Sequence, residues 1–322
     1  MSDYDEDTYW LALSFKYSVL NLEPLLGIFE RHRSLKYLWD VSPTDLGNSG
    51  LSRELVTELL TIRRSNRLDE SEKLRERLRK RAVRFIKFFD ESYPPQLRLL
   101  RNQKEGLPIF LLQSGTLTEF QKCVAIVGTR ALSQYGHTIA RKLARQLAGK
   151  GFTIVSGLAR GTDTEAHCGA LEATRGHTIA IPPWFEPIYP EENTELANDI
   201  MKRGCVLSEF YAAAAGGMIR SAFVRRNRIT SGLSNCVIAI ESDETGGTAH
   251  QVEFALGQGR VVFVLKPRSD DIRAQRGYKR FVRQGAVPFK EAETILEYLR
   301  GQEPSVIDSY VRRQGDLRVH LQ

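Results

Sequence analysis

Three arginines lie close together in the stretch AFVRRNRITSGLSNCVIAIES, residues 222–242: Arg225, Arg226 and Arg228. An apolar run typical of a buried strand, residues 236–240, follows them. Because a guanidinium group binds phosphate through two parallel hydrogen bonds, the cluster favours a phosphate-bearing ligand. We therefore expect exposed arginine side chains at one edge of a sheet. Each arginine could instead pair with a carboxylate such as Glu209 or Glu241, and this alternative stays open.

Glycine-rich turns follow two earlier apolar runs. Gly128, Thr129 and Arg130 follow the first run, and SGLARGTD, residues 156–163, follows the second. Ligands of open parallel sheets collect beyond the carboxyl ends of the strands. Glycine lets the backbone approach a ligand closely, and the helix N-termini that follow favour anions. The turns are therefore predicted to face the same anion as the arginine cluster.

Short apolar runs alternate with helical stretches in the second part of the chain. The six runs are CVAIVG, FTIVSG, HTIAIP, CVLSE, CVIAIE and VVFVL. Runs this uniformly apolar are typical of parallel strands that helices cover on both faces. The predicted fold class is α/β, with a Rossmann-like, doubly wound, mostly parallel sheet.

The first part of the chain has a different pattern. Leu55, Leu59 and Ile62 illustrate the helical spacing of its apolar residues. We predict a small all-helical domain over residues 1–88, a Rossmann-like domain over 89–300 and a short C-terminal tail over 301–322. The segment with Pro94, Pro95 and Pro108 is interpreted as a connection between the two domains.

The composition limits the cellular setting and the partners. With 46 Lys and Arg against 39 Asp and Glu, the chain has a net charge of +7, which favours polyanionic partners. Its four cysteines lack a C-x-x-C pair, which favours a reducing compartment. The acidic start MSDYDEDTYW is unlike a signal peptide, and no apolar run reaches the ~20 residues that span a bilayer. A cytoplasmic protein without membrane contact is expected.

Several kinds of active site lack their motifs. GTRALSQYG does not have the G-x-G-x-x-G spacing of dinucleotide sites, and neither a P-loop nor an H-E-x-x-H zinc motif occurs. Asp163 and His167 are four residues apart, so Asp163 could orient His167 as a general base. A cap or a brace for the loop is the commoner role of such an aspartate. We predict no catalytic residue, no cofactor and no metal.

Six motifs in order resemble one family. VAIVGTR, SGLARGTDTEAHCGALEA, IYPEENTELA, LSEF, FVRRNRITSGLSNCVIAIE and ALGQGRVVFVLKP resemble the DNA-processing protein A family (DprA, also called Smf). The resemblance covers about residues 8–300. It implies a single-stranded DNA-binding protein, not an enzyme, that hands the strand to a strand-exchange recombinase during DNA uptake or recombination. It also implies a homodimer.

The resemblance further implies a DNA-binding site. Its residues are Gly128, Thr129, Arg130, Ser156, Gly157, Gly161, Phe223, Arg225, Asn227 and Arg228, with Arg226 and Lys266 as outer contacts. Single strands bind where a basic groove carries aromatic stacking faces, and Phe223 offers such a face. A role for Phe223 in the hydrophobic core is an equally good alternative.

Departures from the family pattern keep two other functions open. The loop YAAAAGGMIRSA, residues 211–222, and TGGTAH, residues 245–250, replace different family segments. Since TGGT resembles a phosphate-binding turn, the protein could be a nucleotide-binding or nucleotide-hydrolysing enzyme. Glu209, Glu241 or Glu253 would then be the catalytic carboxylate. A module that binds only another protein is the third hypothesis.

Overall fold

The structure is a computed structural model. It describes residues 4–13, 22–101, 106–117, 119–212, 218–268 and 270–301. Residues 302–322 of the predicted tail and residues 213–217 of the altered loop lie outside the described residues.

A nine-stranded sheet forms the centre of the molecule. Its strands lie in the order β1-β2-β6-β5-β4-β3-β7-β8-β9. The strands are β1 (Arg84–Lys87), β2 (Phe110–Gly115), β3 (Cys123–Gly128), β4 (Thr153–Ser156), β5 (His177–Ala180), β6 (Cys205–Ser208), β7 (Cys236–Ile240), β8 (Val261–Leu265) and β9 (Val287–Phe289). From β6 to β9 every neighbouring pair is parallel. The predicted doubly wound, mostly parallel sheet is confirmed, and its six predicted strands are β3 to β8.

Two strands that the sequence did not reveal extend the sheet at one end. β2 lies in the proline-containing segment that we interpreted as a connection, and it pairs antiparallel with β6. β1 pairs antiparallel with β2, so the sheet begins at Arg84, inside the segment expected to be helical. The domain boundary at residue 88 stays a prediction.

Fourteen α-helices occur among the described residues. Six precede the sheet: α1 (Glu6–Ala12), α2 (Pro24–His32), α3 (Tyr37–Asp40), α4 (Pro43–Gly47), α5 (Arg53–Arg63) and α6 (Arg67–Lys80). The others are α7 (Pro95–Arg98), α8 (Gln134–Gly149), α9 (Thr162–Glu172), α10 (Thr194–Arg203), α11 (Met218–Leu233), α12 (Gly247–Gly257), α13 (Ile272–Arg283) and α14 (Ala292–Gly301). No helix in the described part of the chain is long and apolar enough to cross a membrane.

Alternate residues of the central strands enter cores on opposite faces of the sheet. In β3, Val124 and Ile126 pack in one cluster with Leu143 of α8. Ala125 belongs to the cluster on the other face, together with Val252 of α12. This two-sided burial explains why the central strands are mostly apolar and do not alternate between apolar and polar residues. It leaves polar side chains for the turns at the strand ends, where the candidate site lies.

Candidate nucleic-acid interface

A cavity of about 820 Å³ opens at the carboxyl ends of β3 and β7. The chain runs from β3 to β6 in one direction along the sheet and from β7 to β9 in the other, so the strand order reverses between these two neighbours. Such a reversal leaves a crevice in which open α/β sheets bind their ligands. The wall contains Val127, Gly128, Thr129, Arg130, Ala159, Asp163, Tyr189, Ile219, Arg220, Phe223, Val224, Arg226, Asn227, Ser242, Asp243, Thr245, Gly246, Gly247, Thr248, His250 and Gln251.

Half of the predicted site residues line this cavity. They are Gly128, Thr129, Arg130, Phe223, Arg226 and Asn227. The cavity wall does not include Ser156, Gly157, Gly161, Arg225, Arg228 or Lys266. Lys266 lines a separate cavity beside Tyr278 and Phe289. Arg160 forms an ion pair with Glu192 and lines a third cavity.

The arginine cluster lies on a helix. α11 carries all three arginines, so successive side chains point in different directions around its axis. Arg228 is 1% exposed, and its Nη2 lies 2.8 Å and 2.9 Å from the two carboxylate oxygens of Glu209. Arg225 lies 3.7 Å from the same carboxylate. The expectation of an exposed side chain is wrong for Arg228, and pairing with a carboxylate is confirmed for it.

The electrostatics of Glu209 follow from this arrangement. Burial alone would raise the pKa of Glu209, but the two arginines beside it lower the pKa below its usual value. The carboxylate therefore stays charged and holds α11 against the end of β6. Arg228 positions the helix from its buried side, and the cavity lies against other residues of α11.

Arg226 forms part of the cavity wall, although it is only 9% exposed. Its Nη2 lies 3.7 Å from Oδ2 of Asp163, which also accepts hydrogen bonds from the amides of Gly157 and Ala159. Burial lowers the pKa of Arg226, whereas Asp163 raises it and Arg130 lowers it further. The Nε atom of Arg226 is buried and has no hydrogen-bond partner among the described residues. The pairing with Asp163 thus leaves the Nε atom of this cation without a partner among the described residues.

Two of the predicted glycines fix the shape of the turns. A Cβ atom on Gly157 would lie 1.9 Å from Nη1 of Arg226, so only glycine leaves room for that guanidinium group. Gly161 has a φ of 73°, and a Cβ there would lie 2.5 Å from the carbonyl oxygen of Thr129. The predicted Ser156 is buried and donates a 2.6 Å hydrogen bond to the carbonyl of Ile126. Ser156, Gly157 and Gly161 thus support the residues of the cavity wall without lining the cavity themselves.

An aromatic surface adjoins the cations. The guanidinium carbon of Arg130 lies 5.3 Å from the ring centroid of Phe223. The Tyr189 ring lies 5.4 Å from that of Phe223 at an interplanar angle of 75°. Tyr189 is 41% exposed, so part of its side chain is accessible from solvent. Sequence reasoning missed Tyr189 and Arg220, although Tyr189 lies within the quoted motif IYPEENTELA.

The proposed catalytic carboxylates have other roles. Glu241 accepts hydrogen bonds from the amide and the hydroxyl of Ser133, at 2.9 Å and 2.5 Å, and so holds the start of α8. Glu253 forms a 2.6 Å ion pair with Arg280. Glu209 is bound to Arg228 as described above. None of these three glutamates lines the cavity.

The possible Asp163–His167 pair also has a structural explanation. His167 is buried, and its Nδ1 lies 2.7 Å from the hydroxyl of Thr178. Burial, assisted by the charge of Arg226, lowers the pKa of His167 to about 3, so the ring is neutral near pH 7. Asp163 binds Arg226 and two backbone amides. No three His, Cys, Asp or Glu side chains in the described segments are grouped as a metal site requires.

Comparisons with known proteins show which family the chain belongs to. Residues 84–300, more than half of the chain, match the model of the DNA recombination-mediator protein A family. The chain belongs to this family. Protein Smf from Synechocystis is 31% identical over 318 residues, which cover 94% of this chain and 76% of that protein. The resemblance seen in the six motifs is thereby confirmed.

Two solved structures of the family are similar to this one. The X-ray structure of DprA from Streptococcus pneumoniae has a TM-score of 0.72 at 26% identity and covers 90% of this chain and 97% of its own. DprA from Helicobacter pylori, studied for its single-stranded DNA binding mode, has a TM-score of 0.57 at 26% identity. That match covers 67% of this chain and 95% of the Helicobacter chain.

Proposed function

We propose that the protein binds single-stranded DNA in the cavity between β3, β7 and α11. The observation that carries this proposal is the combination of Arg130, Arg220 and Arg226 with the aromatic rings of Phe223 and Tyr189 in one wall. Guanidinium groups bind backbone phosphates, and aromatic faces stack bases whatever their sequence. The Helicobacter relative supports the proposal, because its structure was studied for the same ligand.

The predicted residues have four different roles under this proposal. Arg130, Phe223, Arg226 and Asn227 would contact the strand, together with the newly found Tyr189 and Arg220. Gly128, Thr129, Ser156, Gly157 and Gly161 would shape the turns. Arg225 and Arg228 would hold α11 through Glu209, and Lys266 would contact only a strand that extends beyond the cavity. Gly128 and Thr129 also line the cavity, whereas Ser156, Gly157, Gly161, Arg225, Arg228 and Lys266 do not.

Family membership supports a further step. We propose that the protein delivers the bound strand to a strand-exchange recombinase and that it acts as a homodimer, as the family resemblance implies. Catalysis is not part of the proposal, because the carboxylates considered for it have structural partners. The TGGT turn in the cavity wall favours one second candidate, the binding of a free nucleotide.

Fluorescence anisotropy with a labelled single-stranded oligonucleotide tests the proposal. We expect binding that weakens with salt, at a log–log slope of about −0.7 for each phosphate contacted. Duplex DNA of the same sequence and single nucleotides should compete poorly. Arg220→Gln should weaken binding, whereas Arg175→Gln, which changes an exposed arginine outside the cavity wall, serves as the matched control. Absence of binding at low salt, or displacement by a mononucleotide alone, would contradict the proposal.

A further inference from the structure

The first turn of α12 opens into the same cavity. Thr245, Gly246, Gly247 and Thr248 all belong to its wall. Gly246 precedes the helix with a φ of 102°, and no side chain caps the helix start. A Cβ atom on Gly246 or Gly247 would meet nothing within 4 Å, so the backbone there is open to a ligand. Helix α12 has 11 residues, and the unpaired amides of its first turn attract anions.

A second observation points independently to a ligand at this place. Arg226 is more than nine-tenths buried and belongs to the cavity wall, and its buried Nε atom has no hydrogen-bond partner among the described residues. Asn227 connects Arg226 to the turn, because its side-chain amide donates a 3.4 Å hydrogen bond to the carbonyl of Gly247. A buried donor without a partner is costly unless a ligand or water binds it. Arg226 on α11 and the N-terminus of α12 therefore line the same cavity. The hydrogen bond of Asn227 joins the two helices at this place.

Gln251 adds a group of the opposite polarity. This buried residue donates a 3.0 Å hydrogen bond from its Nε2 to the carbonyl of Asn227. Gln251 is one of the residues of the cavity wall. Its Oε1 atom is buried and has no hydrogen-bond partner within the described segments. An acceptor of this kind suits a sugar hydroxyl or a base N–H group better than it suits phosphate. The cavity thus offers separate partners for the anionic and the neutral parts of a nucleotide.

We propose that the N-terminus of α12, together with Arg226, is the subsite that holds one phosphate group of the bound strand. The inference rests on the proposed function and specifies where a phosphate lies within it. An internal phosphodiester and a 5′-terminal phosphate share the required chemistry. The terminal group carries the larger charge, about −1.5 to −2 near pH 7, and offers three acceptor oxygens.

Substitution of two glycines of the same helix tests the subsite. Gly247→Ala places a methyl group over the amides of the first turn, whereas Gly257→Ala places one at the far end of α12, where nothing lies within 4 Å either. Both changes should maintain or raise Tm, because alanine favours a helix over glycine. Gly247→Ala should weaken binding of single-stranded DNA about tenfold, equivalent to about 1.4 kcal/mol. Gly257→Ala should bind like the unchanged protein.

The source of the phosphate is decided with two oligonucleotides that differ only in a 5′-hydroxyl or a 5′-phosphate. If the subsite holds the strand end, the unchanged protein prefers the phosphorylated form and Gly247→Ala loses that preference. If it holds an internal phosphate, Gly247→Ala weakens binding of both forms equally. Wild-type affinity of Gly247→Ala for both oligonucleotides would overturn the inference.

A readout without DNA separates this inference from the proposed function. Inorganic phosphate should raise the Tm of the unchanged protein and of Gly257→Ala, but should raise that of Gly247→Ala much less. An equal shift in all three proteins would overturn the subsite, even if single-stranded DNA binds. A phosphate effect that depends on Gly247 without any binding of DNA would contradict only the proposed function.

Discussion

Arg228 and Glu209 form a buried ion pair in which one guanidinium nitrogen lies within 2.9 Å of both carboxylate oxygens. The pair joins α11 to the end of β6 beneath the cavity wall. Arg225 approaches the same carboxylate at 3.7 Å, so two of the three clustered arginines share a partner within the protein. The cluster therefore contributes to the stability of the fold as well as to the charge of the site.

Removal of Arg228 should destabilise the protein strongly. Arg228→Ala leaves the buried Glu209 without its closest partner, and loss of one member of a buried pair costs about 3–5 kcal/mol. Urea unfolding measures this loss, with Arg273→Ala as a control at an exposed arginine. A loss below about 1 kcal/mol, the range of exposed pairs, would contradict the structural role of Arg228.

Acidification should destabilise the protein through His167. Its pKa is about 3 in the folded state, against the usual 6.5, because the ring is buried and Arg226 is near. Between these values the unfolded chain binds a proton that the folded protein does not, so stability falls as the pH falls. From pH 7 to pH 5 the contribution is about 2 kcal/mol. Urea unfolding at both pH values measures the free energy of unfolding. Its decrease from pH 7 to pH 5 should be smaller for His167→Gln than for the unchanged protein. Equal decreases would contradict the lowered pKa of His167.

Alanine at Gly157 should impair DNA binding, and it should also lower stability because it disturbs the buried pairing of Arg226 with Asp163. The three atoms nearest to the added Cβ all belong to the guanidinium group of Arg226, which must move out of its place in the cavity wall. We expect about a tenfold loss of affinity for single-stranded DNA, or ~1.4 kcal/mol. Gly149→Ala is the control, because nothing lies within 4 Å of a Cβ there. Anisotropy titration and thermal melting of both variants check the result, and wild-type affinity of Gly157→Ala would show that Arg226 does not contact the strand.

Tyr189 should contribute a stacking face. Tyr189→Ala should weaken binding of single-stranded DNA by about 1–3 kcal/mol, the usual contribution of one stacked base. Tyr189→Phe retains the ring and should bind normally. If Tyr189→Phe loses as much affinity as Tyr189→Ala, the hydroxyl and not the ring face contacts the strand. Anisotropy titration of the three proteins distinguishes these outcomes.

The sequence by itself determined the central sheet and the edge at which the site lies. Strands β3 to β8 were predictable because they are covered on both faces and are therefore mostly apolar, without the alternation of a strand that has one wet face. The carboxyl ends of parallel strands meet at one edge, so Arg130 and the glycine turns could be assigned to it in advance. Strands β1, β2 and β9 were missed: β2 follows Pro108 in a proline-containing segment, and all three short strands are held by pairing with a neighbouring strand, which is a tertiary contact.

Only the tertiary structure decided which way the site residues point. Neighbouring residues of a helix are about 100° apart around its axis, so Arg226 reaches the cavity while Arg228 is buried on the other side of α11. The partner of Arg228 lies 19 residues away in the chain, where no local pattern reveals it. Tyr189 enters the site from the connection after β5, since the fold brings that segment against Phe223. Spacing along the chain predicts the edge of a sheet, but packing decides which side chains reach the ligand.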